Sequence, residues 1–158
     1  MESTISIDIN ADPDAVFALA EGVEHWAEWL PHYRWVRRLA TSGPCRVVEM
    51  AARRDVIPLR WTAVLEPLPA LRRLRFVHIA GPTRGMSVEW RITPTAAGTH
   101  VEIWHRYRPA GGRLSEWYAA WVVGRFFIDA VAGRTLRYVK LAAEERAERR
   151  PGSNGDGQ

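Results

Sequence analysis

The chain has 158 residues, 47% of them hydrophobic and 25% charged, which suits one globular core and excludes a disordered or fibrous protein. Its polar start, MESTISIDINADPD, is followed by no leader-like or membrane-spanning apolar run, so a cytoplasmic protein without stable membrane insertion is expected. The net charge of +4 does not mark a nucleic-acid surface: residues 1–33 hold no Lys or Arg, and the later arginines alternate with apolar residues, as in RRLRF and VEWRI.

Ile5, Ile7 and Ile9 alternate with polar residues and predict a first strand. Asp12 then stands as N-cap with Pro13 at the first helical position, and Val16, Phe17, Leu19 and Ala20 form the apolar side of a helix. Gly22 interrupts it, and a second short helix is predicted from Val23 to Leu30. From Tyr33 the period changes to two, with strands near 33–40, 45–54, 57–66, 72–80, 86–94 and 99–108. The links between them are too short for crossover helices, so neighbours must be antiparallel.

Cys45 follows a Gly43-Pro44 turn and reads as a small apolar filler; as the single cysteine it excludes an internal disulfide and a multi-cysteine zinc site. Beyond Pro109-Ala110-Gly111-Gly112 a helical pattern runs to Arg150, with Gly124 or Gly133 able to supply a bend. Trp117, Trp121, Phe127, Ile128, Val131, Leu136, Val139 and Ala143 give it an apolar stripe. The tail, 151–158, is expected to be disordered.

These elements predict one α+β domain over residues 1–150. It is a helix-grip fold, in which a curved seven-stranded antiparallel sheet wraps a long C-terminal helix, with two short helices after the first strand. A cavity is expected between sheet and helix. Strand parity turns Tyr33, Trp35, Arg37 and Leu39 inward from the second strand, and Leu59, Trp61, Ala63 and Leu65 from the fourth. It also turns inward Leu74, Phe76 and His78, then Met86, Val88, Trp90 and Ile92, and finally Val101, Ile103, His105 and Tyr107.

Polar groups on these faces are the candidates for chemistry, because a buried polar group needs a partner and a ligand can be one. His105 is suited to proton transfer, or else is a hydrogen-bonded core histidine; the same pair of readings holds for His78. Arg37 suits carbonyl or carboxylate oxygens, or pairs with Glu49. Tyr33 can donate to an enolate or cap the cavity rim. Asp129 orients a histidine if it faces the sheet, or pairs with Arg125 one turn away.

Trp29, Trp35, Trp61, Trp90 and Trp121, with Leu65, Phe76, His78 and Tyr107, are the expected binding wall, flat and rigid enough for a planar ligand. His25, His32 and His100 read as surface residues. No histidine spacing suggests a metal, and no cofactor is expected.

The opening strand followed by ADPDAVFALAEGVEHWAEWLPHY, then GPTRGMSVEWRI, GTHVEIWHRYRP and a helix ending TLRYVKLAAE, together resemble the polyketide cyclase and aromatase branch of the START/Bet v 1-like (SRPBCC) superfamily over residues 3–145. The resemblance implies an apolar aromatic-pathway polyketide as substrate, with aldol cyclisation and dehydration inside the cavity. A noncatalytic carrier of a lipid, quinone or other apolar molecule is the alternative.

The resemblance also matches Tyr33 to a pocket tyrosine, His105 to a strand position where some members carry a catalytic histidine, and Asp129 to a helical acid. The chain departs from it at Leu65, where several members hold substrate carbonyls with arginine; either another arginine such as Arg37 or Arg53 replaces that group, or the chain does different chemistry. An acyl carrier protein meeting Arg84 at the mouth is an implied partner, and a homodimer is compatible with the outline.

Overall fold

A computed structural model describes residues 1–108 and 113–150. The glycine-rich link before the long helix and the tail expected to be disordered lie outside the described residues. Seven strands, β1 (Glu2–Ile9), β2 (Tyr33–Ser42), β3 (Cys45–Arg54), β4 (Ile57–Leu68), β5 (Arg73–Ala80), β6 (Met86–Thr95) and β7 (Gly98–Tyr107), form one sheet. Its order is β1-β7-β6-β5-β4-β3-β2, and every neighbouring pair is antiparallel.

The helix α1 (Pro13–Glu21) begins where expected. The Asp12 carboxylate accepts hydrogen bonds from the backbone N–H groups of Asp14 and Ala15 at 2.9 and 3.2 Å, satisfying two donors that the helix cannot pair internally. Val16, Phe17, Leu19 and Ala20 are buried, as their spacing predicts. A 3-10 turn at Val23–His25 leads into α2 (Trp26–Trp29). The Trp26 indole N–H reaches back to the Leu19 carbonyl at 3.1 Å and ties α2 to α1.

The long C-terminal helix has three parts: α3 (Arg113–Val122), a π-helical stretch (Val123–Ala132) and α4 (Gly133–Glu148). Phe127, Ile128, Val131, Leu136, Val139 and Ala143 are buried against the sheet, whereas Trp117 and Trp121 are 71% and 49% exposed. The predicted stripe was therefore too long. A π-helical stretch carries more residues per turn than 3.6, so a stripe phased correctly on α4 loses its phase before it reaches α3.

Parity holds on β4 to β7, where the expected inward residues are buried except for Leu59, which is partly exposed. On β2 it fails after Tyr33. Tyr33 pairs with Ala52 and Trp35 with Ala51, so two residues of β2 span a single step of β3. This irregularity exchanges the faces of the rest of the strand. Val36 packs on the core, Arg37 and Leu39 are exposed, and Trp35 is half-buried off the cavity.

Gly98, at φ +143°, closes the β6–β7 turn against the first strand. A Cβ there would collide with the Ile9 carbonyl. No helix among the described residues is long and apolar enough to cross a membrane.

Candidate functional site

Between the sheet and the helix lies a cavity of about 40 Å³ lined mainly by Trp26, Tyr33, Trp61, Phe76, Trp90 and Phe127. Its polar groups are few: Tyr33 from the start of β2, His78 from β5, His105 from β7 and Thr135 from α4. Apart from Trp26 on α2, the wall residues sit on strands or on the long C-terminal helix, so the apolar patterning that builds the core also builds most of this chamber.

His105 is 1% exposed, and neither of its ring nitrogens has a hydrogen-bond partner. The Ser3 backbone opposite it on β1 lies close enough to favour the charged ring slightly, but burial dominates and lowers the imidazole from 6.5 to about 4. His78 is 3% exposed and shares a 2.6 Å hydrogen bond from Nδ1 with the Thr83 hydroxyl. Burial first, and the charge of His105 second, take it to about 3. Both rings are therefore neutral near pH 7, each with one N–H and one lone pair.

Tyr33 is 7% exposed and lies edge-on to Trp26 and Trp61, at centroid separations of 5.3 and 6.1 Å. Burial raises its phenol well above the ordinary value, and the Thr135 hydroxyl offsets only part of that, so it remains a hydrogen-bond donor. Trp61 stacks on His78 at 6.0 Å with an interplanar angle of 9°, and Phe127 meets both edge-on. The chamber thus combines flat aromatic walls with two uncharged imidazoles and one phenol.

Among the residues read from sequence, Tyr33, Trp61, Phe76, His78, Trp90 and His105 converge on this cavity. Leu65 and Tyr107 are buried beside it without lining it, and Trp29 is a half-buried prop on the core. Arg37 is not brought in: it is exposed, and its guanidinium lies 4.2 Å from the centroid of the Trp35 ring. Asp129 is exposed and Trp121 half-exposed; neither lines the cavity. The Arg125 side chain lies outside the described residues, so the pairing weighed for Asp129 has no counterpart to describe.

Arg53 and Arg84 are also exposed, so no arginine replaces the missing pocket guanidinium among the lining residues. His32, read as a surface residue, is 5% exposed. Sequence reasoning overlooked Trp26, on a helix too short for its face to be assigned, and Thr135. The latter was legible: it falls on the i+4 ladder Val131, Thr135, Val139, Ala143, the one polar residue among four, and its hydroxyl donates to the Val131 carbonyl at 2.8 Å.

Among the described residues no group of three or more His, Cys, Asp or Glu side chains is placed to hold a metal ion.

Solved structures share this architecture. The Zhui aromatase/cyclase from Streptomyces sp. R1128 is 23% identical with a TM-score of 0.77, covering 99% of this chain and 98% of its own. The di-domain ARO/CYC StfQ of the steffimycin biosynthetic pathway is 19% identical with a TM-score of 0.75; 93% of this chain matches 51% of that one. Ara h 8.0201 aligns at 11% identity with a TM-score of 0.71 over 92% of this chain and 98% of its own. No curated protein matches by sequence.

At these identities the structural likeness shows the fold. The family rests on the sequence match, since residues 1–141 fit the pattern described as "Polyketide cyclase / dehydrase and lipid transport". The chain therefore belongs to the polyketide cyclase / dehydrase and lipid transport family.

Proposed function

We propose that the protein is a cofactor-independent cyclase or aromatase that folds an apolar polyketide by intramolecular aldol condensation and dehydration. The observation that carries this reading is His105, a wholly buried imidazole without a partner, held in an aromatic chamber within reach of a ligand. A plain core position would favour leucine or valine there, because an unsatisfied buried polar group costs about 1–3 kcal/mol. A carbonyl-rich chain would supply the missing partners.

In this mechanism the neutral His105 accepts a proton from an acidic methylene carbon, and the Tyr33 hydroxyl donates to the oxygen that becomes the enolate. The new carbon–carbon bond forms within one bound chain, so the walls contribute chiefly by limiting its conformers. The protonated imidazole returns that proton to the alkoxide left by the addition; the neutral ring then takes the second proton from the same carbon as the double bond forms and passes it to the hydroxyl, which leaves as water.

The chamber of about 40 Å³ is far below the roughly 300–1,000 Å³ of drug-sized ligand sites, so substrate entry must displace wall residues. The π-helical stretch supplies Phe127, Val131 and Ala132 to that wall, and such stretches often occur at functional sites.

A catalyst and a carrier separate at one residue. His105→Ala should lower turnover of a poly-β-keto chain by about 100-fold or more while binding of a planar product analogue changes little. Unchanged turnover would remove the catalytic role, and the carrier reading would then lead.

A further inference from the structure

On the far side of the Thr135 layer, a second and larger cleft of about 710 Å³ opens between α4, the β3–β4 turn and the link after α2. Its charged residues are Arg53 at the end of β3, Arg134 and Arg137 on α4, and Asp55 in the turn; His32, Tyr138, Pro31 and Leu141 complete it. Arg134 lies 3.7 Å from Asp55, whereas Arg53 and Arg137 have no carboxylate partner among the described residues. Three guanidinium charges against one carboxylate leave the cleft two positive charges in excess.

His32 forms part of the same wall. Its Nε2 is 2.9 Å from the Thr135 hydroxyl oxygen, and that hydroxyl already donates to the Val131 carbonyl. Thr135 must therefore accept from Nε2–H, which leaves the lone pair on Nδ1. That Nδ1 is buried and has no partner, in a residue 95% removed from solvent. An arginine cluster with charge in excess lining a cleft suits an oxyanion, whose oxygens accept from the guanidinium N–H groups.

We propose that this cleft binds a phosphate monoester, with Arg53, Arg134 and Arg137 around the phosphoryl oxygens. The excess charge matches a dianion better than a single carboxylate, and planar guanidinium forks suit phosphoryl oxygens. The site stands independently of the inner cavity's chemistry.

Calorimetric titration of the full chain at fixed ionic strength, with inorganic phosphate, phenyl phosphate and benzoate as probes, tests the assignment. Nuclear magnetic resonance of the histidine rings runs alongside. Saturable binding of both phosphates is expected, with benzoate at least about tenfold weaker and the His32 resonances moving selectively. The double variant Arg53→Ala/Arg137→Ala, changed at two exposed positions, should lose affinity by about tenfold or more, and Asp55→Asn should tighten binding.

No saturable binding below about 10 mM phosphate, or equal affinity in the double variant, would overturn the site. Benzoate binding as tightly as phenyl phosphate would overturn the preference for a dianion. Free phosphate as the natural ligand would show inorganic phosphate equalling phenyl phosphate; an esterified headgroup would show the ester binding more tightly.

Discussion

Replacing His105 with leucine should make the protein more stable while ending its proposed chemistry. The wild-type ring buries one N–H and one lone pair with no hydrogen bond, at a desolvation cost of about 1–3 kcal/mol per group. Leucine removes both and keeps a side chain of roughly similar size, with repacking costs under about 1.5 kcal/mol. The net expectation is a gain of at least about 0.5 kcal/mol, and up to about 6, at pH 7. At about 2–4 °C per kcal/mol for a chain of this length, Tm should rise in proportion.

Acid enlarges the difference. The folded His105 titrates near 4 against 6.5 unfolded, so below pH 6.5 the unfolded chain binds more protons and stability falls as pH drops towards 4. At pH 5 that linkage costs the wild type about 2 kcal/mol, which the leucine variant does not lose. Urea unfolding at pH 7 and pH 5 reads both effects as a higher midpoint with an unchanged slope. A midpoint lowered at pH 7, or the same pH dependence in both proteins, would refute the argument that His105 is unsatisfied.

His78 follows the same sign, its folded value near 3 lying below the 6.5 of the unfolded chain. Together the two cavity histidines should make the wild type about 4 kcal/mol less stable at pH 5 than at pH 8, measurable by urea midpoints; a flat profile would contradict their burial as neutral rings. Arg37→Ala and Asp129→Asn should each leave turnover within about twofold, since neither side chain lines the cavity, and a loss beyond tenfold in a steady-state assay would return them to the mechanism. Gly98→Ala should cost about 2–3 kcal/mol in equilibrium unfolding, because its backbone is left-handed and a Cβ meets the Ile9 carbonyl; a neutral result would show that the β6–β7 turn can move.

The sheet was legible because period-two alternation is a local signal. Met86, Val88, Trp90 and Ile92 fall on the core face simply because every second residue of β6 does. Reading failed where geometry breaks its own period. The irregularity after Tyr33 moved Arg37 and Trp35 away from the cavity, and it is a property of the pairing with β3 rather than of β2 alone. The π-helical stretch did the same to Trp117 and Trp121.

His32 was hidden for another reason. It sits in a short link with no period, and its burial comes from Thr135, 103 residues away in sequence. Polar residues on regular elements, His78 and His105, could be placed from sequence; their lack of charge and the missing partners of His105 required the packed neighbours.

The central claim meets its most direct test in a product profile. The purified protein is supplied to a minimal iterative polyketide synthase that makes a nascent poly-β-keto chain, and products are resolved by liquid chromatography and mass spectrometry. A new cyclised and dehydrated product, absent with the folded His105→Leu variant, is the predicted result. Spontaneous shunt products alone, with a competent synthase and folded protein, would contradict the assignment of this chamber to polyketide cyclisation.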